Sequence, residues 1–330
     1  MPALSALNLC WSGRHSLKRI IAKMYIGKVK RGMFRVNRRV SALHLMMLPP
    51  VVLLFIYSYI PMAGVVIAFQ NYIPSLGFLK SHFVGFDNFR TLFLDPAFKH
   101  VLFNTVYISL LKIVTGLFFQ LVFALMLNEV RRAAFKRTIQ TVIYLPYFVS
   151  WVIMAGIIID ILSPTNGLLN NILGNFGVEP IFFLGNNTLF PYIMVITNIW
   201  KEFGWGTIIF LSALSSIDTV HYEAAVIDGA GRWKQMLHVT LPGVATTVVL
   251  VATLSLGNIL NAGFEQIFNL LSPMTLQSGD IIDTLVYRYG IQNAQFGLAT
   301  AAGLFKSGVS CLLIILSYRL AYRFTGYRII

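Results

Sequence analysis

Charge is what this 330-residue sequence lacks most. Asp, Glu, Lys and Arg together make up 12% of it, against about 25% in a typical soluble protein. Apolar residues make up 57%, and the mean hydropathy is +0.72. This composition excludes an ordinary soluble globular protein and places several long apolar runs in a lipid bilayer. We therefore predict an all-α membrane protein.

Cysteine is also nearly absent. Cys10 and Cys311 lie far apart in the chain, so they form neither a metal-ligand spacing nor a plausible disulfide. His221 and His238 have no third ligand nearby in the sequence. No catalytic constellation and no Gly-x-x-x-x-Gly-Lys-Ser/Thr phosphate loop stands out. We expect no catalytic residues, no metal site and no cofactor bound by this chain itself.

Acidic residues are few, and the formal net charge is +14. Residues 1–41 contribute ten Lys and Arg and no acidic residue. A basic segment directly before an apolar run is typical of a cytoplasmic end that faces anionic lipid headgroups. We therefore expect membrane lipid as a partner, and no nucleic acid.

Six apolar runs are long enough to cross a hydrocarbon core about 30 Å thick, which takes roughly 20 helical residues. The predicted spans are 43–69, 102–127, 139–161, 189–211, 241–263 and 298–321. Lys and Arg are in excess before span one, between spans two and three, and after span six, which predicts that both termini are cytoplasmic. The chain then divides into a basic N-terminal segment (1–41), a first span with its outer loop (42–99), and a membrane core (100–320).

The connection between spans four and five, residues 216–243, departs from this charge pattern. Parity makes it cytoplasmic, yet it is not positive. Asp218 is placed to cap a short helix, and Gly229 and Gly231 can adopt the left-handed geometry that ends one. A second short helix would follow from Arg232. We interpret this connection as a compact helical hairpin that docks onto a partner.

The same connection resembles the EAA loop of permease subunits of binding-protein-dependent ABC importers. That pattern is Glu-Ala-Ala, two residues, Asp-Gly-Ala, and later Leu-Pro. This sequence carries it without gaps, with Leu-Pro at Leu241-Pro242. In that family the EAA loop is a coupling helix that sits in a cleft of the ATPase subunit. The resemblance implies ATPase coupling by Glu223, Ala224, Ala225, Asp228, Gly229 and Ala230.

The segments Asn128–Arg132 and Asn261–Phe268 are similar to the oligosaccharide permeases, although the large periplasmic insertion of the maltose-permease subunit is missing. The resemblance implies a type I ABC importer permease fold in a bacterial cell membrane and transport of a sugar or oligosaccharide. It also implies a second homologous permease subunit in a heterodimer, two ATPase subunits that hold ATP and Mg, and an extracytoplasmic solute-binding protein. The chain itself would not be an enzyme.

Polar residues within the predicted spans are costly in lipid and usually face a bundle interior or an aqueous cavity. Indole rings suit stacking on sugar rings, and amide and charged groups can hydrogen-bond hydroxyls. The alternative is that these residues make structural contacts between helices. Lys112 needs a carboxylate or an aqueous cavity, and Asp160 and Glu202 are possible partners by depth. The predicted substrate path consists of Lys112, Asn198, Trp200, Lys201, Glu202, Trp205, Asn258 and Asn261.

Two other classes of membrane protein are alternatives to an importer permease. An ion-coupled secondary transporter would also carry intramembrane charges and repeated spans, but it has no ATPase for an EAA loop to dock on. An integral membrane enzyme would need a catalytic set near the interface.

Among the outer loops, residues 264–297 are the preferred surface for the binding protein, because Asp280, Asp283 and Arg288 could make polar contacts.

Overall fold

The computed structural model describes residues 38–325, with side chains for residues 43–323. The chain divides into two units, Met1–Gly64 and Val65–Ile330. The described part of the first unit is helical. It begins with α1 (Arg38–Leu54) and continues through a π-helical turn (Phe55–Tyr59) into a 3-10 helix (Ile60–Phe69). The run Leu43–Phe69 is apolar enough to cross a membrane, as predicted for span one.

The second unit begins at Val65, within this 3-10 helix, and a two-stranded antiparallel hairpin follows. Strand β1 (Gln70–Asn71) pairs with β2 (His82–Phe83), and the four-residue helix α2 (Gly77–Lys80) lies between them. Helix α3 (Asp87–Leu94) follows, and its Asn88 side chain donates to the carbonyls of Ala68 (2.9 Å) and Gln70 (3.0 Å). These bonds hold the hairpin against α3.

Helix α4 (Pro96–Glu129) contains the second predicted span. Asp95 caps it by accepting from the Ala97 amide at 2.8 Å, and Pro96 occupies the first turn, where its missing amide costs nothing. The helix has 34 residues, about 51 Å at roughly 1.5 Å per residue. It is therefore longer than the hydrocarbon core and extends past the predicted span 102–127 at both ends.

The third predicted span, 139–161, is not one straight helix. Helix α5 (Ala133–Tyr144) passes into a 3-10 turn (Leu145–Phe148), and α6 (Trp151–Leu162) continues at an angle of 101° to it. Pro146 has no amide to continue the helical ladder. Ser150 then starts α6 as its cap and accepts from the Ile153 amide. The short helix α7 (Leu168–Gly174) leads onward.

Helix α8 (Phe190–Ser215) contains the fourth predicted span and packs along α4. Small residues allow close approach. A Cβ on Gly204 would lie 2.4 Å from the Ile143 carbonyl oxygen of α5, and one on Gly206 would lie 2.2 Å from the Gln120 side chain of α4. Helix α9 (Thr219–Ile227) follows α8 at an angle of 66°.

The helical run at the fifth predicted span, 241–263, starts before that range and stops short of its end. The helical run starts at α10 (Arg232–Gln235), passes through a π-helical turn (Met236–Thr240) and ends with α11 (Leu241–Gly257). The π-helical turn ends two residues before Pro242, which cannot donate a backbone bond. After Gly257 the chain turns, and Gly263 has a left-handed φ of 93°. Residues 258–263 are therefore not helical, although they are apolar enough to extend a hydropathy run.

Three short helices lie between α11 and the last long helix: α12 (Phe264–Leu270), α13 (Leu276–Gly279) and α14 (Ile282–Tyr287). A π-helical turn (Arg288–Gln292) connects them to α15 (Phe296–Thr325), which contains the predicted span 298–321 and packs on α11, α14 and α3. Buried clusters centre on Phe190 and Ile267, on Phe98 and Leu285, and on Phe210 and Val244.

Within the described residues, four helices are long and apolar enough to cross a membrane, or up to six if each bent pair forms one span. The bent pairs are Ala133–Phe148 with Trp151–Leu162, and Phe190–Ser215 with Thr219–Ile227. The prediction of an all-α membrane protein is confirmed at this level. A count of six spans stays a prediction.

Candidate functional site

A polar cavity of about 330 Å³ lies between α4, α8 and the end of α11. We call it the central cavity. One face of α4 supplies positions three or four residues apart, which is the spacing of a helical stripe. Its lining consists of Ser109, Lys112, Ile113, Gly116, Leu117, Gln120, Asn198, Glu202, Ser255, Asn258, Asn261, Ala262 and Gly263.

Lys112 is held by neutral acceptors. Its Nζ donates to the Ala262 carbonyl at 2.7 Å and to Gln266 Oε1 at 2.5 Å. The predicted carboxylate contact is not formed, but Lys112 does line the predicted kind of cavity, which Glu202 also lines. Asp160 is not among the lining residues. An ammonium group at this depth is thus satisfied by hydrogen bonds rather than by an ion pair.

Gln266 fixes the geometry around Lys112. It is 1% exposed, and its Nε2 donates to the Met194 carbonyl (2.8 Å) and to Thr197 Oγ1 (2.7 Å). Together with the Lys112 contact, these bonds connect α4, α8 and α12. Sequence reasoning did not select Gln266 as a site residue, although it lies in the segment Asn261–Phe268 that resembles the oligosaccharide permeases.

Glu202 offers an acceptor to the central cavity. It is half-buried, and its carboxylate makes no hydrogen bond or ion pair with any other side chain described between residues 43 and 323. Asn198 lies on the same helix four residues earlier and also lines the cavity. The lining therefore offers acceptors and amides that suit sugar hydroxyls.

Asn258 and Asn261 reach the central cavity from the turn after α11, not from a helical face as predicted. The Asn261 amide donates to Asn258 Oδ1 at 3.4 Å. The structure thus brings together part of the predicted substrate path: Lys112, Asn198, Glu202, Asn258 and Asn261.

The other three predicted path residues lie outside the lining of the central cavity. Lys201 is only 5% exposed, and its Nζ donates to the Tyr147 carbonyl at 2.7 Å. The same ammonium lies over the rings of Tyr147 (5.3 Å) and Trp151 (5.4 Å). Trp205 stacks on Tyr147 at 4.6 Å, whereas Trp200 is 41% exposed. The alternative of structural contact between helices fits Lys201 and Trp205 better.

The EAA loop forms the expected hairpin. Asp218 caps α9 by accepting from the Val220 amide at 3.0 Å, which confirms the predicted cap. Gly229 has a left-handed φ of 75°, and the Ala230 amide donates to the Ala225 carbonyl at 2.9 Å, as in a Schellman ending. Gly231 does not adopt the left-handed geometry. Its backbone is extended, and it is the N-cap residue of α10.

Helix α9 presents its side chains to the outside. None of its residues is buried, and Ile227 is 86% exposed. The hairpin is fastened at its other side, where the Tyr222 hydroxyl lies 3.0 Å from Thr240 Oγ1 and Gln235 donates to the Ala230 carbonyl at 2.8 Å. Of the predicted coupling residues, four are exposed and two are half-buried: Glu223, Ala224, Asp228 and Gly229, and then Ala225 and Ala230.

The polar groups of residues 264–297, which were expected to contact the binding protein, form contacts within this chain instead. Asp280 is buried and pairs with Arg288 at 2.5 Å. Asp283 pairs with Lys306 of α15 at 2.6 Å. The Asn104 amide of α4 also donates to the Asp280 carbonyl at 3.3 Å. These contacts fasten the loop to α4 and α15, so they do not support the expectation of free docking groups.

The chain is similar to known importer subunits along most of its length. It is 42% identical over 287 residues to Protein LplB of Bacillus subtilis, which covers 87% of this chain and 90% of LplB. It is also 42% identical over 282 residues to the polygalacturonan/rhamnogalacturonan transport system permease protein YteP of the same organism, covering 86% of this chain and 88% of YteP.

A solved bacterial ABC transporter involved in the import of the acidic polysaccharide alginate contains a chain that superposes with a TM-score of 0.81 and 36% identity, over 89% of this chain and 99% of that chain. No support emerges for an ion-coupled carrier. Residues 112–326 match the family described as binding-protein-dependent transport system inner membrane component. The chain therefore belongs to this family, and it is a multi-pass membrane permease subunit of an ABC importer rather than an enzyme.

Proposed function

We propose that this chain forms one side of the membrane path for a sugar or oligosaccharide, and that the path runs through the central cavity. YteP is named for polygalacturonan and rhamnogalacturonan, and the solved transporter imports alginate. The lining supports a hydroxyl-rich solute, because it combines the amides of Asn198, Asn258 and Asn261 with the charged groups of Lys112 and Glu202. Amide and carboxylate groups match the donors and acceptors of a sugar ring.

The exposed EAA loop is the observation that carries the coupling part of the proposal. Val220, Val226 and Ile227 leave large apolar areas of α9 uncovered. Exposed apolar surface of this kind marks a protein contact. We assign it to an ATPase subunit that carries the ATP and Mg. Two such subunits, a second homologous permease in a heterodimer and an extracytoplasmic solute-binding protein would complete the importer. A related solved transporter is in complex with an alginate pentasaccharide-bound periplasmic protein.

Six crossings follow if α5 with α6 forms one crossing and α8 forms another, with α9 at the cytoplasmic surface. An even number of crossings places both termini on the same side of the membrane. The Lys and Arg distribution supports the cytoplasmic side. The basic segment 1–41 would then lie at the cytoplasmic surface of a bacterial cell membrane, residues 42–99 would form the first crossing with its outer loop, and residues 100–320 would form the permease core. The segment 1–37 lies outside the described residues.

The geometry supports a mechanical link from the EAA loop to the central cavity. Helix α9 is joined directly to α8, and the hairpin is hydrogen-bonded to the turn that leads into α11. Both α8 and the end of α11 line the cavity. Closing of an ATPase dimer would therefore move two cavity walls together, which is what alternating access between an outer and an inner opening requires.

Co-purification with the ATPase encoded next to this chain tests the coupling assignment. Gly229→Trp would add bulk at the tip of the hairpin, where nothing lies within 4 Å. Gly177→Trp is the matched control, because Gly177 also has a left-handed φ (78°) and open surroundings, but it lies in an outer loop. We expect the wild type and Gly177→Trp to retain the ATPase and Gly229→Trp to lose it. Equal retention by both variants would contradict docking at the EAA loop.

A further inference from the structure

A second groove, of about 600 Å³, lies where α4 ends and α10 begins. We call it the end groove. Its walls are mostly apolar, with one carboxylate and one guanidinium at the helix ends. The lining residues are Val122, Leu125, Met126, Glu129, Arg232, Trp233 and Met236.

The end groove faces away from the central cavity. Each of its four positions on α4 comes nine residues after a position that lines the cavity. Nine residues turn a helix by about 900°, which is two and a half turns, so the two sets lie on opposite faces. The pairs are Ile113 and Val122, Gly116 and Leu125, Leu117 and Met126, and Gln120 and Glu129. A second permease that closes the cavity would therefore not cover the end groove.

Two arginines lie at the open end of the end groove. An adjoining cleft of about 250 Å³ shares Glu129, Arg232 and Met236 with it and adds Arg131. Both arginines are exposed, and within the described side chains neither forms an ion pair. Trp233 is 80% exposed beside them, and an indole ring at the end of a membrane helix is typical of the lipid–water interface.

We propose that the end groove binds an anionic glycerophospholipid of the bilayer. One acyl chain would lie along Val122, Leu125 and Met126, and the headgroup phosphate would lie between Arg232 and Arg131. Guanidinium groups suit this role because they donate to phosphate oxygens in a bidentate manner. Glu129 offsets one of the two arginine charges, and the remaining net charge is positive. An anionic headgroup is therefore favoured over a zwitterionic one, which would add a cation of its own. The site does not depend on which solute is carried.

The bound lipid would stabilise the position of the EAA loop. Tyr222 of α9 lines the adjoining cleft, and Gln235 of α10 bonds the Ala230 carbonyl. A lipid that joins the end of α4 to the start of α10 would therefore stabilise the base on which the hairpin rests.

Native mass spectrometry of the intact transporter, released from membranes with equal phosphatidylglycerol and phosphatidylcholine, tests this site. Arg232→Gln removes the guanidinium from the end groove. Arg137→Gln removes an equal charge from an exposed position of α5 that lines neither the groove nor the cleft. We expect the wild type and Arg137→Gln to retain phosphatidylglycerol in preference to phosphatidylcholine. In Arg232→Gln this preference should fall about fivefold, the usual effect of one basic residue near an anionic surface.

Two outcomes would overturn the proposal. Equal losses in both variants would mean that anionic lipid responds only to the overall positive charge. A photo-crosslinking amino acid in place of Met126 separates lipid from protein in the same intact transporter. We expect it to capture lipid, whereas capture of the second permease or the ATPase would make the end groove a protein interface.

Discussion

Two lysines in the long apolar helices, Lys112 and Lys201, have their ammonium groups stabilised by different contacts. Lys112 uses two of its three donors on the Ala262 carbonyl and on Gln266, and it borders the central cavity. Lys201 donates to the Tyr147 carbonyl and lies over two aromatic rings. In the proposed path the first would offer its third donor to a solute, whereas the second contacts the 3-10 turn between α5 and α6. Similar depth in the membrane therefore serves two different purposes.

Gly263 is expected to be sensitive to substitution because the Lys112 contact depends on its backbone. Its φ is 93°, and a Cβ would lie 3.2 Å from Lys112 Nζ. Gly263→Ala should lower the free energy of unfolding by about 1–2 kcal/mol through left-handed strain, and more if Lys112 is displaced. Thermal unfolding of the detergent-solubilised chain measures the change. Gly308→Ala is the control, because Gly308 is helical and open, so equal losses would contradict the strain argument.

The sequence predicts that Lys201 and Glu202 diverge, but not which one faces the central cavity. Neighbouring residues on a helix point about 100° apart, so only one of them can face a narrow cavity. Packing decides the outcome: Gly206 and Thr207 of α8 lie against Gln120 of α4, and this register turns Glu202 toward the cavity. No local pattern records that contact, because it joins residues far apart in the chain.

Among the elements, straight apolar helices were predictable and interrupted ones were not. Hydropathy located the spans within α4 and α15 because both are continuous. The same reasoning failed at Pro146, where the chain breaks, and after Gly257, where it turns. Apolar composition continues through both places, whereas the backbone hydrogen bonds do not. The hairpin of the EAA loop was predicted at Asp218 and Gly229, because capping chemistry is local.

The contact between the π-helical turn Arg288–Gln292 and the start of α4 should depend on pH. The Tyr289 hydroxyl donates to Asp95, the residue that caps α4. Burial, followed by this hydrogen bond, raises the pKa of Tyr289 to about 12. Because the unfolded pKa is about 10, the contact should contribute its full stability below pH 10 and lose it as the pH rises through about 12.

Melting temperatures of the wild type and Tyr289→Phe between pH 8 and pH 12 measure this contribution. We expect a constant difference in favour of the wild type up to about pH 10, which then shrinks toward zero near pH 12. A difference that stays constant over this range would mean that folding does not raise the pKa of Tyr289, and it would contradict this prediction.

For the whole molecule, the class and the general function could be predicted from the sequence, because both follow from composition and from a local motif. Low charge and long apolar runs indicate a membrane protein, and the EAA loop combines fixed residue types with a position between two spans. The central cavity could be predicted only in part. Its walls come from α4, α8 and the turn after α11, and Gln266 joins them from a fourth element.

Transport by the assembled importer should depend on the residues that line the central cavity and not on their neighbours along α8. Glu202→Gln keeps the shape of the side chain but removes the charge that strengthens hydrogen bonds to hydroxyls, so uptake into proteoliposomes should fall about tenfold. ATPase retention should be unchanged, because Glu202 lies away from the EAA loop. Trp200→Phe is the matched control, since Trp200 is on the same helix but outside the lining. If Trp200→Phe abolished uptake while Glu202→Gln transported normally, the solute would cross along another face of α8.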